Sequence, residues 1–300
     1  AKAMGTCMIS TAGALAALEP DMILLLGDRY EMLAVASTAV VMGIPVVHMA
    51  GGEISEGAFD DSIRHAITKL SALHLTSTEE YRRRVIQLGE DPDRVINTGS
   101  TGVYNCMNVP LMSKPELEQS IGMSLGDKAL LVTLHPATLD PVPVVERVRS
   151  LCEALDRFPD SKVLITYPNN DPQGRVIIDE IERYASYWPS RVLTVPSLGR
   201  RRYLSALKCV RAVVGNSSSG IIEVPSMGIP TVDIGIRQQG RIAAESVIHC
   251  DADADSIADA IARALVMDMS GIDNPYFRPD TVSRIADAIE NTPVGQLRCK

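Results

Sequence analysis

The fold follows from one stretch of sequence, Ala212-Val-Val-Gly-Asn-Ser-Ser-Ser-Gly-Ile-Ile-Glu223. Its apolar, β-branched start predicts a buried strand over 212–214, and the Gly215-Asn216 pair predicts a tight turn. The hydroxyls that follow open a predicted helix over 218–224, which Pro225 stops. A strand that leads through a tight turn into a helix is the repeating unit of a doubly wound α/β sheet.

The same stretch has the chemistry of an anion site. The first amides of a helix lack intrahelical partners and carry partial positive charge. Ser217 and Ser218 add hydroxyl donors, and the Glu223 carboxylate could accept hydrogen bonds from a diol such as ribose. These features predict a nucleotide diphosphate site. An ordinary serine N-cap after a strand would use the same residues, so the stretch alone leaves both interpretations open.

Strand–helix alternation continues on both sides of this stretch. Short apolar runs alternate with segments of helical periodicity, which predicts an α/β fold of two Rossmann-like, doubly wound parallel sheets. The predicted strands are 21–27, 44–49, 73–76, 95–99, 129–134, 162–167, 191–195, 212–214, 231–234 and 247–250.

One segment interrupts the alternation. Residues 101–128 lose periodicity apart from a short helical piece near 115–121, and we place a linker at 111–128. The predicted units are an N-terminal domain at 1–110, a C-terminal domain at 129–275, and a C-terminal helix and tail at 276–300.

Composition and charge exclude several classes of protein. Of 300 residues, 46% are hydrophobic but only 4% aromatic, and the net charge of −8 argues against general nucleic-acid binding. The six cysteines form no CxxC pair and have no metal spacing with histidine. There is no signal peptide, no membrane-length apolar run, no Walker loop and no GxGxxG after a strand. We therefore expect a cytoplasmic protein with reduced thiols, without a metal, a cofactor, a nucleic-acid partner or a membrane partner.

Polar residues cluster at the predicted carboxyl ends of the strands. Ligands of doubly wound sheets bind beyond these ends, so the sequence predicts a ligand cleft between the two domains. The clustered residues are Asp28 and Arg29, residues 50–53, Gly99 and Ser100, His135, residues 169–171, residues 217–219, and Arg237.

Several acidic positions are candidates for acid–base chemistry. Asp28 directly follows a buried strand, and it is either a general base or a cap of the next helix. Glu53 ends a Gly-Gly turn, and Glu56 follows three residues later. These two carboxylates either face the cleft or are simply solvated. Asp60 and Arg64 share a helix face, as a surface ion pair or as an arginine-oriented carboxylate directed into the cleft.

Two other side chains suit a phosphate. His135 emerges where Pro136 stops a strand, and Arg237 follows a strand and a glycine. His48 and His74 lie within predicted strands, and we expect both to be core or near-core residues.

Six segments carry a resemblance to one known family. They are Gly27-Asp-Arg-Tyr-Glu31, Gly51-Gly-Glu53, Asp60-Asp-Ser-Ile-Arg-His-Ala-Ile-Thr-Lys69, Leu134-His-Pro136, Gly215-Asn-Ser-Ser-Ser-Gly220 and Gly235-Ile-Arg-Gln-Gln-Gly-Arg241. Together they resemble the UDP-N-acetylglucosamine 2-epimerases, specifically the hydrolysing branch of sialic-acid and related nonulosonic-acid synthesis. The resemblance covers nearly the whole chain in order.

The resemblance implies a GT-B-like pair of Rossmann-type domains that binds a UDP-sugar, with UDP held mainly by the second domain. We also expect a homo-oligomer, either a dimer or a tetramer. The implied binding residues are Ser217, Ser218 and Arg237 for the diphosphate, Glu223 for the ribose hydroxyls, and Arg29, His135 and Asn169 for the rest of the nucleotide sugar.

The implied reaction begins with loss of the C2 proton and departure of UDP, which gives a 2-acetamidoglucal. Water then adds with inverted stereochemistry at C2 and releases N-acetylmannosamine. Asp28 and Asp60 would be acid–base carboxylates, with Arg64 orienting Asp60. Glu53 and His135 complete the implied catalytic set.

Two features depart from the family. Many relatives carry a catalytic glutamate third in a His-x-Glu-Gly-Gly-Glu run, where this chain has Ala50. Either Glu53 or Glu56 supplies the missing carboxylate, or the substrate differs, for example a UDP-2,4-diacetamido-2,4,6-trideoxy sugar. The family's first strand has no counterpart after Ala1, so we expect the first sheet to lack it in this numbering. A GT-B-type glycosyltransferase and a non-catalytic UDP-sugar-binding protein are the other interpretations.

Overall fold

The computed structural model describes residues 1–54, 60–137, 140, 142–169 and 173–297. Glu56, one of the two carboxylates predicted to compensate for Ala50, lies outside the described residues, as do residues 170 and 171 of one predicted polar loop.

The first part of the chain alternates strands with helices because short apolar runs are separated by longer amphipathic segments. Its elements are α1 (Lys2–Leu18), β1 (Ile23–Leu26), α2 (Tyr30–Val41), β2 (Val46–Met49), α3 (Asp60–Leu70), β3 (Leu73–Thr76), α4 (Glu79–Gln87), a 3₁₀ turn (Pro92–Arg94), β4 (Val95–Asn97) and α5 (Thr101–Asn108).

The second part continues the same alternation. Its elements are α6 (Lys114–Ile121), β5 (Leu130–Thr133), α7 (Val144–Asp156), β6 (Val163–Thr166), α8 (Gly174–Tyr187), β7 (Val192–Val195), α9 (Gly199–Leu207), β8 (Ala212–Gly215), α10 (Ser218–Ile222), a 3₁₀ turn (Val224–Met227), β9 (Thr231–Ile234), β10 (Val247–Cys250), α11 (Ala254–Val266), α12 (Thr281–Glu290) and α13 (Val294–Leu297).

The strands form two parallel sheets. One has the order β1-β2-β3-β4 and the other β10-β9-β8-β5-β6-β7. Every residue of β2, β3, β5 and β6 is buried, as expected for strands that helices cover on both faces. The prediction of an α/β fold with two Rossmann-like parallel sheets is confirmed, and His48 and His74 are fully buried within their strands as predicted.

Contacts divide the described chain into two units, and the division falls within α5. Unit 1 comprises residues 1–54, 60–104 and 276–297, and therefore includes α12 and α13. Unit 2 comprises the described residues between 105 and 275. This division by contacts does not test the predicted domain boundaries at 110, 128 and 275, which stay predictions.

Two helices differ from their predictions. Helix α5 forms where the sequence lacked periodicity, because Val103 and Cys106, three residues apart, are both buried. Helix α10 ends at Ile222 rather than at residue 224, since Pro225 turns the chain into a 3₁₀ segment.

Two further findings concern the described residues as a whole. The cysteines among them are free thiols. None of the helices there combines the length and the apolar character that crossing a membrane requires.

An acid–histidine pair links the last two strands of the six-stranded sheet. Asp233 in β9 is buried, and its Oδ2 lies 2.9 Å from Nδ1 of the half-exposed His249 in β10. The hydrogen bond to Asp233 raises the pKa of His249. Burial raises the pKa of Asp233, against the opposing effects of His249, Arg237 and Arg241. Both shifts make the folded protein bind protons more tightly than the unfolded chain.

This pair predicts a stability that falls as pH rises. A histidine whose folded pKa is raised stabilises the fold fully below its unfolded pKa of about 6.5, and this contribution is lost at higher pH. The free energy of unfolding of wild type should therefore exceed that of His249→Asn by more at pH 5.5 than at pH 8.5. Since His249 is half-exposed, we expect a difference of roughly 0.2–1 kcal/mol. Urea unfolding followed by the fluorescence of Trp188, the only tryptophan, measures it. An equal gap at both pH values would contradict the prediction.

Candidate functional site

The six-stranded sheet of unit 2 reverses its strand order between β5 and β8. The chain runs outward from β5 through β6 and β7, then returns to the other side of β5 with β8 and continues outward to β10. Ligands of doubly wound sheets bind at such a reversal, beyond the carboxyl ends of the strands. The segments that leave this point begin at Leu134 after β5 and at Asn216 after β8.

Gly215 lets the ends of these two strands approach each other. Its φ is +142°, and a Cβ built there would lie 1.9 Å from the backbone oxygen of Thr133 in β5. Gly220 allows a second close contact, because a Cβ built there would lie 2.7 Å from Thr231 Cγ2. The absence of a side chain at Gly220 therefore allows α10 to pack on β9.

Asn216 joins the two strand ends through its side chain. The backbone N–H of His135 donates to Asn216 Oδ1 at 2.7 Å, and Asn216 Nδ2 donates to the backbone oxygen of His135 at 2.9 Å. The backbone oxygen of Asn216 accepts from Arg237 Nη1 at 2.9 Å and from Gln238 Nε2 at 2.8 Å. This almost fully buried residue therefore organises two of the predicted site residues. The sequence showed Asn216 only as a turn residue.

The orientation of His135 is fixed by a second predicted site residue. The backbone N–H of Asn169, after β6, donates to His135 Nδ1 at 3.0 Å. Since Nδ1 accepts this bond, the proton of the neutral ring must lie on Nε2. The Nε2–H donor of His135 therefore lies on the edge of the ring opposite to the contact with Asn169.

The serines after Gly215 show the N-cap that the opening stretch allowed, while their role as an anion site stays a prediction. Ser217 is the N-cap of α10, and its hydroxyl oxygen accepts from the Ser219 N–H at 3.4 Å. Ser218 is the first helical residue, and Ser219 accepts from the hydroxyl of Tyr203 at 2.7 Å. Because α10 has only five residues, its dipole is small. Anion binding here would depend on hydroxyls, on Arg237 and on His135.

Glu223 lies at the end of α10, where its N–H donates to Ser219 O at 2.9 Å. Burial, followed by the charge of Glu223, raises the pKa of the Cys106 thiol to about 12. Burial also raises the pKa of Tyr203, and Glu223 adds to this shift. The Glu223 carboxylate thus lies near enough to Cys106 and Tyr203 to act on both groups. A carboxylate at this place could accept hydrogen bonds from a hydroxyl-bearing ligand.

In unit 1, the structure joins Asp28 and Arg64. Arg64 Nη2 donates to Asp28 Oδ2, and the Arg64 side chain is only 2% exposed while that of Asp28 is 22% exposed. Arg64 also lies 3.6 Å from Asp61 Oδ1. The predicted action of Arg64 on Asp60, the first residue of α3, stays a prediction. The ion pair with Asp28 was not foreseen, since 36 residues separate the partners.

The remaining predicted residues of unit 1 differ in their surroundings. Glu53 is buried and accepts from the hydroxyl of Ser77 at 2.9 Å, so the solvated alternative is wrong, and its place in a ligand cleft stays a prediction. Ala50, in the slot of the missing acid, has a φ of +62°. Arg29 is half-exposed at the start of α2, with its guanidinium 3.5 Å from Glu31.

The predicted residues therefore form two groups, each within one unit. His135, Asn169, Ser217 and Arg237 meet around Asn216 in unit 2, with Ser218 and Glu223 on the same short helix or at its end. Asp28 and Arg64 form an ion pair in unit 1. Among the described residues, no group of three or more His, Cys, Asp or Glu side chains has the arrangement of a metal site.

Comparison with known proteins gives consistent findings. A family model described as UDP-N-acetylglucosamine 2-epimerase matches residues 1–290. The chain is 39% identical over 250 residues to a Campylobacter jejuni protein named GDP/UDP-N,N'-diacetylbacillosamine 2-epimerase (hydrolyzing). The aligned region covers 83% of this chain and 65% of that protein. It is 33% identical to a Neisseria meningitidis protein named UDP-N-acetylglucosamine 2-epimerase, over 91% of this chain and 72% of that one. This chain thus spans just under two thirds of its Campylobacter relative.

The fold also has solved counterparts. A structure of Methanocaldococcus jannaschii UDP-GlcNAc 2-epimerase in complex with UDP-GlcNAc and UDP matches with a TM-score of 0.78, over 96% of this chain and 81% of that one. At 16% sequence identity, this match establishes the common fold.

Proposed function

Since the chain belongs to the UDP-N-acetylglucosamine 2-epimerase family, in the branch whose relatives include one named as hydrolysing, we propose that it hydrolyses UDP-N-acetylglucosamine to UDP and N-acetylmannosamine. The observation that carries this proposal is the cluster around Asn216, which presents a histidine donor and an arginine at the reversal of a parallel sheet.

In this proposal, unit 2 holds the leaving group. Arg237 supplies positive charge to the diphosphate, and His135 Nε2 together with the hydroxyls of Ser217 and Ser218 supplies hydrogen-bond donors. Glu223 accepts from the ribose hydroxyls, while Asn169 and Arg29 complete the nucleotide-sugar site. Donors that are already fixed stabilise the charge that develops on departing UDP, and each such donor contributes roughly 100- to 1000-fold to the rate.

The first chemical step is assigned to Asp28. Its carboxylate removes the C2 proton, the C2–H electrons form the C1–C2 double bond, and the C1–O bond to UDP breaks with its electrons leaving on the diphosphate. The product of this step is a 2-acetamidoglucal. The C2 proton is weakly acidic, so the direction of the base must be fixed, which is what the buried Arg64 does through its ion pair with Asp28.

The second step adds water across the double bond. The oxygen attaches to C1, and a proton is delivered to C2 from the face opposite to the one that lost it. We assign this acid–base role to Asp60, with Glu53 as the other candidate. The buried Glu53 would have to exchange its contact with Ser77 before it could transfer a proton.

The Campylobacter relative favours a second candidate substrate. Its name specifies diacetylbacillosamine, and Ala50 leaves a small side chain in the slot where the resemblance implies an acid. A UDP-2,4-diacetamido-2,4,6-trideoxyglucose would be hydrolysed by the same two steps.

An assay with both UDP-sugars in D₂O tests the proposal. We expect UDP release from UDP-N-acetylglucosamine, together with N-acetylmannosamine that carries deuterium at C2, because the C2 proton is exchanged during the reaction. Proton NMR follows both products. Faster turnover of the diacetamido sugar would select the second candidate. Release of UDP only when an acceptor sugar is added would indicate a glycosyltransferase, and binding without turnover would indicate a non-catalytic protein; both would contradict the proposal.

A further inference from the structure

His48 is a buried residue of unit 1 with a contact on each ring nitrogen. It lies in β2, has no exposed surface, and pairs in register with Leu25 of the neighbouring β1. Its Nε2 is 2.9 Å from the backbone oxygen of Gly27, and its Nδ1 is 3.2 Å from the hydroxyl oxygen of Thr68 in α3. Gly27 directly precedes Asp28, so His48 contacts the turn that carries the proposed base.

The chemistry of these contacts fixes the direction of each hydrogen bond. The carbonyl oxygen of Gly27 can only accept, so Nε2 of His48 must carry the proton and donate it. Burial is the main cause that lowers the pKa of His48 to about 4; the Gly27 carbonyl opposes this shift, and the nearby charge of Arg64 contributes to it. The ring is therefore neutral at neutral pH, and Nδ1 has a lone pair that accepts from the Thr68 hydroxyl. The two hydrogen bonds therefore run in one direction: the Thr68 hydroxyl donates to His48 Nδ1, and His48 Nε2 donates to the carbonyl oxygen of Gly27.

Helix α3 thus holds the Gly27-Asp28 turn in two places. Arg64 donates to the Asp28 carboxylate, and Thr68, one helical turn later on the same face, acts through His48 on the preceding carbonyl. Both helix residues are almost completely buried, so solvent reaches neither Arg64 nor Thr68 appreciably. A carboxylate fixed only by its own ion pair could still swing with its peptide, whereas this second contact fixes the peptide itself.

The loop after β2 leaves His48 little freedom to move. A Cβ added to Gly51 would lie 3.0 Å from His48 Nδ1 and 3.1 Å from Thr68 Oγ1. The glycine therefore packs directly over the hydrogen bond between these two side chains.

We propose that His48 and Thr68 are positioning residues, a neutral hydrogen-bonded relay that holds the Gly27 carbonyl and thereby aims the Asp28 carboxylate at its substrate. This inference rests on the proposed function only in assigning Asp28 the proton transfer. Neither relay residue touches the substrate, so their loss should lower kcat and leave KM nearly unchanged.

The test compares Thr68→Val with Thr68→Ser. Valine has the same shape but no hydroxyl, so the relay loses its first donor, while serine keeps the donor. We expect Thr68→Val to lower kcat for UDP release by roughly 100-fold, the scale of a misplaced catalytic group, with KM within about twofold of wild type. Thr68→Ser should restore kcat to within a few-fold. A kcat of Thr68→Val equal to that of wild type would overturn the proposal.

A matched control distinguishes loss of the relay from the general effect of deleting a buried hydroxyl in a helix. Thr38 is also buried within a helix of unit 1, and its hydroxyl donates to the backbone oxygen of Ala34 at 2.8 Å, within its own helix. Thr38→Val should therefore keep wild-type kcat. Equal losses of kcat in Thr38→Val and Thr68→Val would overturn the relay in favour of a packing effect.

¹⁵N NMR of protein that contains ¹⁵N-labelled histidine tests the relay independently of catalytic activity. The protein has five histidines, and the signal that disappears in His48→Gln is that of His48. We expect this signal to show a neutral ring with its proton on Nε2, and not to titrate between pH 5.5 and 8.5. Its Nδ1 resonance should shift in Thr68→Val and not in Thr38→Val. A His48 ring that titrates in this range, or that carries its proton on Nδ1, overturns the relay. Absence of turnover by wild type would instead contradict the proposed function.

Discussion

Asp28→Asn should lower kcat for UDP release by roughly 1000-fold, the scale of a lost general base, while the dissociation constant for UDP stays within about twofold. Asparagine can still accept the hydrogen bond of Arg64, but it cannot take the C2 proton. Most of the residues proposed to hold UDP belong to unit 2, whereas Asp28 belongs to unit 1. Initial rates from a coupled UDP assay give kcat, and calorimetric titration gives the affinity for UDP.

The interpretation of Asp28→Asn depends on the fold remaining intact. Arg64 is almost fully buried, and breaking a buried ion pair by removing one charge costs about 3–5 kcal/mol. The nearby Asp61 and the 22% exposure of Asp28 should reduce this cost. Circular dichroism at the assay temperature checks the fold. Asp21→Asn is the matched control and should keep wild-type kcat, because Asp21 is exposed and lies two residues before β1, whereas Asp28 lies two residues after it. Full activity of Asp28→Asn would show that Asp28 is not the base.

Gly215→Ala should be the most destabilising single methyl addition in unit 2. The new Cβ would lie 1.9 Å from the backbone oxygen of Thr133, and neither strand end can move without breaking the parallel ladder between β5 and β8. The φ of +142° adds strain for any residue with a side chain. We expect a loss of more than about 4 kcal/mol, the range of exceptional core mutations. Soluble yield and the urea midpoint measure this loss.

Gly199→Ala provides the control for backbone strain alone. Gly199 also has a positive φ, +63°, but a Cβ there would meet no atom within 4 Å. Its substitution should cost about 1–3 kcal/mol, well below the cost at Gly215. Equal urea midpoints for the two variants would show that the ends of β5 and β8 are not in tight contact.

The fold was largely predictable because its signals are local. Apolar runs such as 129–134 and 162–167 are bounded by turn residues, and each became a buried parallel strand. Helix α5 was not predictable from periodicity, since two buried positions in eight residues make a weak pattern. The early end of α10 could have been inferred from Pro225, which removes a backbone donor within the predicted last turn.

The site was predictable only in part. The residue types at the strand ends were visible because parallel strands bring their carboxyl ends to one edge. The partners were not, since the contacts of Arg64 with Asp28 and of Asn216 with His135 join residues 36 and 81 positions apart. His48 shows the same limit. Its burial follows from its place in an apolar strand, but its contacts with Gly27 and Thr68 depend on how the β-α elements of unit 1 pack.

The amide of Asn216 has a consequence for the thermodynamics of binding. The segment after β5 is outside any strand, yet its His135 N–H and C=O are both bonded to a buried side chain, as they would be within a sheet. Loops usually lose conformational entropy when a ligand orders them, and that loss weakens the affinity. Here the ordering already exists in the protein alone. A nucleotide that docks at this edge should therefore bind with a small entropic penalty from the polypeptide and with little change in backbone conformation.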